Sequence, residues 1–143
     1  MAVRTASASW QGALRDGNGT MEFGSGAFEG AYSFSSRFEE ASGTNPEELI
    51  AAAHAGCFSM AFANDLDQAG HTANRVETEA NVHLEPVEGG FGITRIELST
   101  EAEVPGIEEA EFQRLAEGSK ENCPVSKALA GAEISVDAKL VGG

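Results

Sequence analysis

Positive charge is scarce in this chain. Nine lysines and arginines stand against 23 aspartates and glutamates, a formal net charge of -14 over 143 residues. A nucleic-acid backbone or an anionic membrane surface would repel such a protein, so neither is expected as a partner. Cysteine is equally sparse: two residues, Cys57 and Cys123, cannot form a disulfide framework. Aromatic residues make up 7% and glycine 17 positions, so packing should be thin in places. Long apolar runs are missing. The longest, Leu49 to Ala63, contains His54 and is too short to span a bilayer. The start, Met1 to Trp10, lacks the apolar centre of a signal peptide. A soluble cytoplasmic protein is therefore expected. In that reducing compartment two cysteines point to catalysis or redox sensing before structural stapling.

What is present fits one compact domain, residues 1–143, with no internal repeat and no low-complexity linker. The first third is small and Gly-rich, with a turn at Asp16-Gly17-Asn18-Gly19. It predicts short strands over about 3–11, 19–25 and 30–36. A loop over 36–44 follows. Asn45 then reads as an N-cap, Pro46 as the first helical residue and Glu48 as the far side of a capping box. Gly70 is the stop, which gives a helix of roughly 24 residues and about 36 Å. Its residues are apolar and small nearly all round from Leu49 to Ala63, which predicts burial on most sides.

Two alternating strands come next. One carries Val76, Thr78, Ala80, Val82 and Leu84 on a single face, the other Ile96, Leu98, Thr100, Ala102 and Val104, with a turn at Glu88-Gly89-Gly90. A helix after Pro105-Gly106 places Ile107, Phe112, Leu115 and Ala116 on one side. Pro124 ends it and opens a short helix through Ala130, and a final strand alternates Ile134, Val136, Ala138 and Leu140. The order βββ-α-ββ-αα-β is an α+β pattern.

The chemistry rests on the cysteines. Cys57, between Gly56 and Phe58, can be a small buried hydrophobe or a nucleophile. A nucleophile needs a lowered pKa from a cation or a helix N-terminus. Cys57 is mid-helix, so a cation must come from elsewhere. Cys123 precedes Pro124 at an expected N-cap, where helix N–H groups favour a thiolate; inert burial is the other reading. His54, one turn before Cys57, is read as a packed or hydrogen-bonded side chain with a general base as the alternative. The three histidines show no metal-ligand spacing with the cysteines, and no metal or bound cofactor is expected.

Glu47 and Cys57 are separated by about 15 Å along one straight helix, so they cannot meet within it. Two copies crossing antiparallel about a two-fold axis near Ala52 would bring Glu47 of one opposite Cys57 of the other. The small run Ala51-Ala52-Ala53 would permit close approach, which makes a homodimer the economical arrangement. A monomer with this run packed under its own sheet is the alternative.

The segment Gly43-Thr44-Asn45-Pro46-Glu47-Glu48-Leu49-Ile50-Ala51-Ala52-Ala53-His54-Ala55-Gly56-Cys57-Phe58-Ser59-Met60-Ala61 resembles the signature helix of the OsmC/Ohr family. That family comprises osmotically inducible protein C and the organic hydroperoxide resistance proteins. Asn122-Cys123-Pro124-Val125-Ser126-Lys127-Ala128-Leu129 resembles its second cysteine motif, and Ser36-Arg37-Phe38 resembles the OsmC branch. Gly56 stands where that branch commonly has Ala.

The resemblance implies an OsmC-like intertwined homodimer, with antiparallel sheets wrapped around two long central helices. It implies a peroxidase that reduces organic hydroperoxides, and hydrogen peroxide more weakly, in stress defence. Cys57 matches the peroxidatic cysteine, Cys123 the resolving one, Glu47 the active-site glutamate and Arg37 the arginine of the OsmC branch. Arg37 would supply the missing cation, held bidentately by Glu47. Phe38, Phe58, Met60 and Phe62 are candidates for an apolar substrate pocket. The reductant implied is an external dithiol, of dihydrolipoyl type. A redox-sensing or hydrophobic-ligand-binding dimer without turnover is the competing function.

Overall fold

The computed structural model describes residues 2–142, which form two compact units that divide between Leu49 and Ile50. The first carries a three-stranded antiparallel sheet in the order β1 (Ala6–Gln11), β2 (Asn18–Phe23), β3 (Glu29–Tyr32). Its register sets Gly19 opposite both Trp10 and Tyr32, whose rings meet with centroids 5.3 Å apart. A Cβ on Gly19 would sit 2.6 Å from the Tyr32 ring, so ring packing demands glycine there.

The sequence reading ran a strand to residue 36 and then a loop. The structure instead turns at Ser33 into a five-residue helix, α1 (Phe34–Phe38). Ser33 and Ser36 build a reciprocal capping box: the Ser36 N–H donates to Ser33 Oγ at 3.1 Å and the Ser33 N–H to Ser36 Oγ at 2.8 Å. Ser36 Oγ also donates to the Thr44 carbonyl at 2.8 Å, which fastens the returning chain. Gly43, at φ 111°, makes that return possible, because a Cβ would lie 2.8 Å from the Ala31 carbonyl.

The long helix α2 (Pro46–Gln68) starts where its signals place it. The Glu48 N–H donates to Asn45 Oδ1 at 2.7 Å. The capping box is only half closed, however, since the Glu48 carboxylate accepts from Thr44 Oγ1 at 2.8 Å. At the other end the His71 N–H reaches the Leu66 carbonyl at 2.9 Å around Gly70 at φ 91°, a Schellman stop.

The second unit holds β4 (Arg75–Val87), β5 (Gly90–Glu103) and β6 (Glu133–Leu140) in that order, β4 antiparallel to β5 and β6 parallel to it. Between β5 and β6 run α3 (Glu109–Asn122) and the short α4 (Pro124–Ala128). Phe58, Phe62 and Leu66 recur at four-residue spacing along one stripe of α2 and are fully buried. They pack with Leu98, Ala102, Val104, Phe112, Ala116 and Ala138 as one core. The Phe62 ring lies 5.5 Å from Phe58 and 5.3 Å from Phe112.

Burial of α2 on most sides does not hold. Ala52, Ala53, Gly56 and Met60 form an exposed face, Met60 at 78%. The reason is positional: Phe58, Phe62 and Leu66 are the part of α2 that enters the core, and Ala52, Ala53, Gly56 and Met60 lie off that stripe. Among the described residues no helix is long and apolar enough to cross a membrane.

Candidate active site

Cys123 sits at the joint between α3 and α4. Its N–H donates to the Ser119 carbonyl at 3.0 Å, closing α3, while its own carbonyl accepts from the Lys127 N–H at 3.1 Å, opening α4. Pro124 fits there because the first helical residue needs no N–H donor. This joint points the buried Cys123 sulfur at Cys57 on α2, with Sγ–Sγ 2.7 Å and both residues as thiols. Cys57 is half-buried, whereas Cys123 is fully buried. An incoming molecule therefore meets Cys57 first.

The two sulfurs do not ionise alike. Burial pushes the Cys57 thiol up, and the hydrogen bond it shares with Cys123, in which Cys57 keeps the proton, adds to that, against an opposing contribution from the Val125 N–H. Burial also pushes Cys123 up, but it is outweighed by the Cys57 thiol, the Ser126 N–H and hydroxyl and the Val125 N–H. The net result for Cys123 lies below the usual thiol value. Its sulfur does not satisfy the geometry of a cap hydrogen bond, so these amides act as nearby dipoles. The expectation that helix N–H groups favour a thiolate on Cys123 agrees with this direction. The expectation that Cys57 draws only on a cation is corrected, since the Val125 N–H of α4 also bears on it. The N-terminus of α4, from another element, faces the pair, and within the pair the thiolate is favoured on Cys123.

Arg37, at the end of α1, pairs with Glu47 in the first turn of α2. Nε donates to Oε1 at 3.0 Å and Nη2 to Oε2 at 2.9 Å, a bidentate fork. Glu47 is buried at 8% exposure, while the Arg37 side chain keeps 38%. Its position is fixed by the Ser33–Ser36 cap on one side and by Asn45, whose Nδ2 donates to the Ser36 carbonyl at 2.9 Å, on the other.

Of the four apolar candidates, the three on α2 do not share one surface. Phe58 and Phe62 are core residues with no exposed surface, and Met60, two positions from each, lies on the exposed face of α2. Helical spacing explains the error, since residues two apart do not share a face. Phe38 is different: with Trp10, Leu14, Tyr32, Phe34 and Arg37 it lines a cavity of about 270 Å³ in the first unit. The aromatic contributions from β1 and β3 had no signature in the sequence, because they come from separate strands.

A family model described as OsmC-like protein matches residues 39–139, a span that contains Glu47 and both cysteines. The chain belongs to the OsmC family. It is 46% identical over 134 residues to the peroxiredoxin OsmC of Escherichia coli K12, covering 93% of each chain. It is 37% identical over 94 residues to an organic hydroperoxide resistance protein of Xanthomonas axonopodis pv. citri, covering 62% of this chain and 61% of that one. In fold it is similar to an OsmC-like protein of Vibrio cholerae, with TM-score 0.77 at 17% identity, over 96% of this chain and 99% of that one.

In this OsmC-family chain the sequence reading expected helix N–H groups at Cys123, but missed the Ser126 hydroxyl beside it and the bearing of the Val125 N–H on Cys57. The available signal was their position, two and three residues after an N-cap cysteine. His54 is fully buried, and its Nε2 lies 2.7 Å from Ser126 Oγ, as a hydrogen-bonded side chain should. Burial lowers its pKa, so it is neutral at neutral pH. The unfolded chain then binds a proton that the folded chain refuses, and stability falls as pH drops below about 6.5 toward the lower folded value. Denaturant midpoints across that range should show this loss, and His54→Gln, which carries no titrating ring, should show a smaller one. Among the described residues no three His, Cys, Asp or Glu side chains cluster as metal ligands.

Proposed function

We propose that this chain is a thiol-dependent peroxidase that reduces organic hydroperoxides through Cys57, with Cys123 as the resolving thiol. The observation that carries the reading is the pair of thiols 2.7 Å apart, of which only Cys57 has access to solvent. The relatives' names, peroxiredoxin and organic hydroperoxide resistance protein, support it.

The Cys57 thiolate attacks the terminal peroxide oxygen. An S–O bond forms, the O–O bond breaks, and the alkoxide leaves to be protonated as the alcohol. Cys57 is left as sulfenic acid, two electrons oxidised. Cys123 attacks that sulfur, hydroxide leaves, and an intramolecular disulfide results. An external dithiol, of dihydrolipoyl type, returns both thiols by exchange.

Thiolate must appear on Cys57 for the first step. The pair holds a shared proton across a short contact, so the charge can reside on either sulfur. A guanidinium at Cys57 draws it there, and the partner subunit of a homodimer supplies that cation. The α2 helices cross antiparallel near Ala52, so each Arg37–Glu47 fork serves the other protomer's Cys57. The exposed face of Ala52, Ala53, Gly56 and Met60 supports this arrangement. Ala52→Leu should overpack the crossing, weakening the dimer by about 1–3 kcal/mol. Sedimentation equilibrium measures it, and a fully active monomer at micromolar concentration would rule the shared site out.

The aromatic cavity beside Arg37 favours a peroxide with a hydrocarbon portion over hydrogen peroxide. The test is steady-state turnover of cumene hydroperoxide against hydrogen peroxide with several dithiols. Faster turnover of the organic substrate is expected. Protein that oxidises once and does not cycle would instead be a redox sensor.

A further inference from the structure

His54 is a buried ionisable side chain that the peroxidase scheme leaves without a task. It lies one turn before Cys57, and its Nε2 is 2.7 Å from Ser126 Oγ, in a contact between residues 72 positions apart. Its other ring nitrogen, Nδ1, is buried and meets no hydrogen-bond partner among the described residues. That asymmetry assigns the tautomer. A proton on Nδ1 would be an unsatisfied buried donor, which is costly. On Nε2 it donates to Ser126 Oγ. The neutral state that burial imposes on the ring is consistent with this.

Ser126 Oγ is then occupied as an acceptor, and its own O–H is available to donate. Ser126 is buried and occupies the third position of α4, with Cys123 as the N-cap. A side chain at that position reaches back toward the cap residue, as in a capping box. Here the cap is the sulfur of the resolving thiol, also fully buried. A buried thiolate needs such a donor.

We infer that Ser126 donates its hydroxyl to the Cys123 sulfur during resolution, and that His54 is a positioning residue that turns the hydroxyl toward it. The inference rests on the peroxidase reading and adds a step-specific role to it. Cys123, its thiol proton already lost to solvent, attacks the Cys57 sulfur. The S–S bond forms, the S–O bond breaks, and hydroxide departs with the bonding pair and is protonated to water. Cys57 sulfur is reduced by one electron and Cys123 sulfur oxidised by one, so no outside reductant enters. The donor chain holds the Cys123 charge until the attack; because the pair shares a proton, removing it shifts charge toward Cys57 and does not slow the first oxidation.

The test separates the two steps. Reduced protein is mixed with one equivalent of cumene hydroperoxide at fixed neutral pH and quenched at intervals. Intact mass then gives the oxygen adduct of Cys57 and the disulfide as functions of time. Ser126→Ala should slow disulfide formation by about tenfold or more, as expected for loss of a hydrogen bond to a charged group, and leave adduct formation at least as fast as in the native protein. Ser126→Thr, which keeps the hydroxyl, should resolve at nearly the native rate. His54→Gln, which keeps a donor, should lie between the native protein and His54→Phe. Unchanged resolution in Ser126→Ala would overturn the inference. So would equal slowing in the Ala and Thr variants, or equal slowing of both steps, either of which marks packing. A native protein that forms neither adduct nor disulfide would overturn the peroxidase reading itself, and the inference with it.

Discussion

Cys57→Ser should lose hydroperoxide turnover by about a thousandfold or more, because a serine hydroxyl at its ordinary pKa is a poor nucleophile. The structure makes this more than a routine expectation, since Cys123 is the thiol whose ionisation is favoured. If acidity alone chose the peroxidatic residue, Cys57→Ser would still consume one equivalent of peroxide. Burial argues otherwise: Cys123 has no exposed surface, whereas Cys57 is only half-buried. Cys123→Ser should show the complementary behaviour. The first oxidation survives, and without a resolver Cys57 advances to sulfinic acid under excess peroxide. Peroxide consumption combined with intact mass distinguishes all of these outcomes. Single-equivalent oxidation of Cys57→Ser at the native rate would reverse the assignment of the two sulfurs.

Arg37→Ala should slow stoichiometric oxidation of Cys57 at neutral pH by about ten- to a hundredfold. The sign follows from the surroundings of Cys57. Burial already pushes its thiol above the usual value, and removing the cation that the proposed dimer brings to it would push it further. The rate profile should therefore shift to higher pH and partly recover in alkaline solution, where the thiol ionises unaided. Arg37→Lys should rescue incompletely. The ammonium restores charge but cannot reproduce the two parallel bonds from Nε and Nη2 to Glu47. The comparison is the pH dependence of Cys57 oxidation in the native protein and both variants. Three superimposable profiles would show that Arg37 does not set the thiol's reactivity.

What could be read from residues alone was local and periodic. Asn45 and Gly70 bracket α2 because caps and left-handed glycines act within a few residues. The alternation of Val76 to Leu84 and of Ile96 to Val104 located β4 and β5, since a strand's two faces are written in adjacent positions. The Cys123-Pro124 step located the α3–α4 joint for the same reason.

Features that depend on distant partners were hidden. The α1 turn, five residues long and capped by serines, is too short for a helical period. The exposed face of α2 is invisible in composition, because alanine and glycine suit both a core and a surface awaiting a neighbour. Phe58, Met60 and Phe62 look alike as apolar residues and differ only in the direction that helical geometry assigns them. The His54–Ser126 contact joins segments 72 residues apart, and no pattern in either segment announces the other. The ionisation order of the thiols belongs to the same class, because burial and the contact between two sulfurs 66 positions apart in the chain weigh most in it.

The central claim is that Cys57 and Cys123 form a cycling redox pair driven by hydroperoxide. Its most direct test is peptide mapping of protein reduced, exposed to one equivalent of cumene hydroperoxide and alkylated under denaturing conditions. The account predicts a single Cys57–Cys123 disulfide within one chain, formed in proportion to peroxide consumed and reopened by a dihydrolipoyl-type dithiol. Alkylatable Cys57 and Cys123 after complete consumption of the peroxide, or disulfides only between chains, would contradict it.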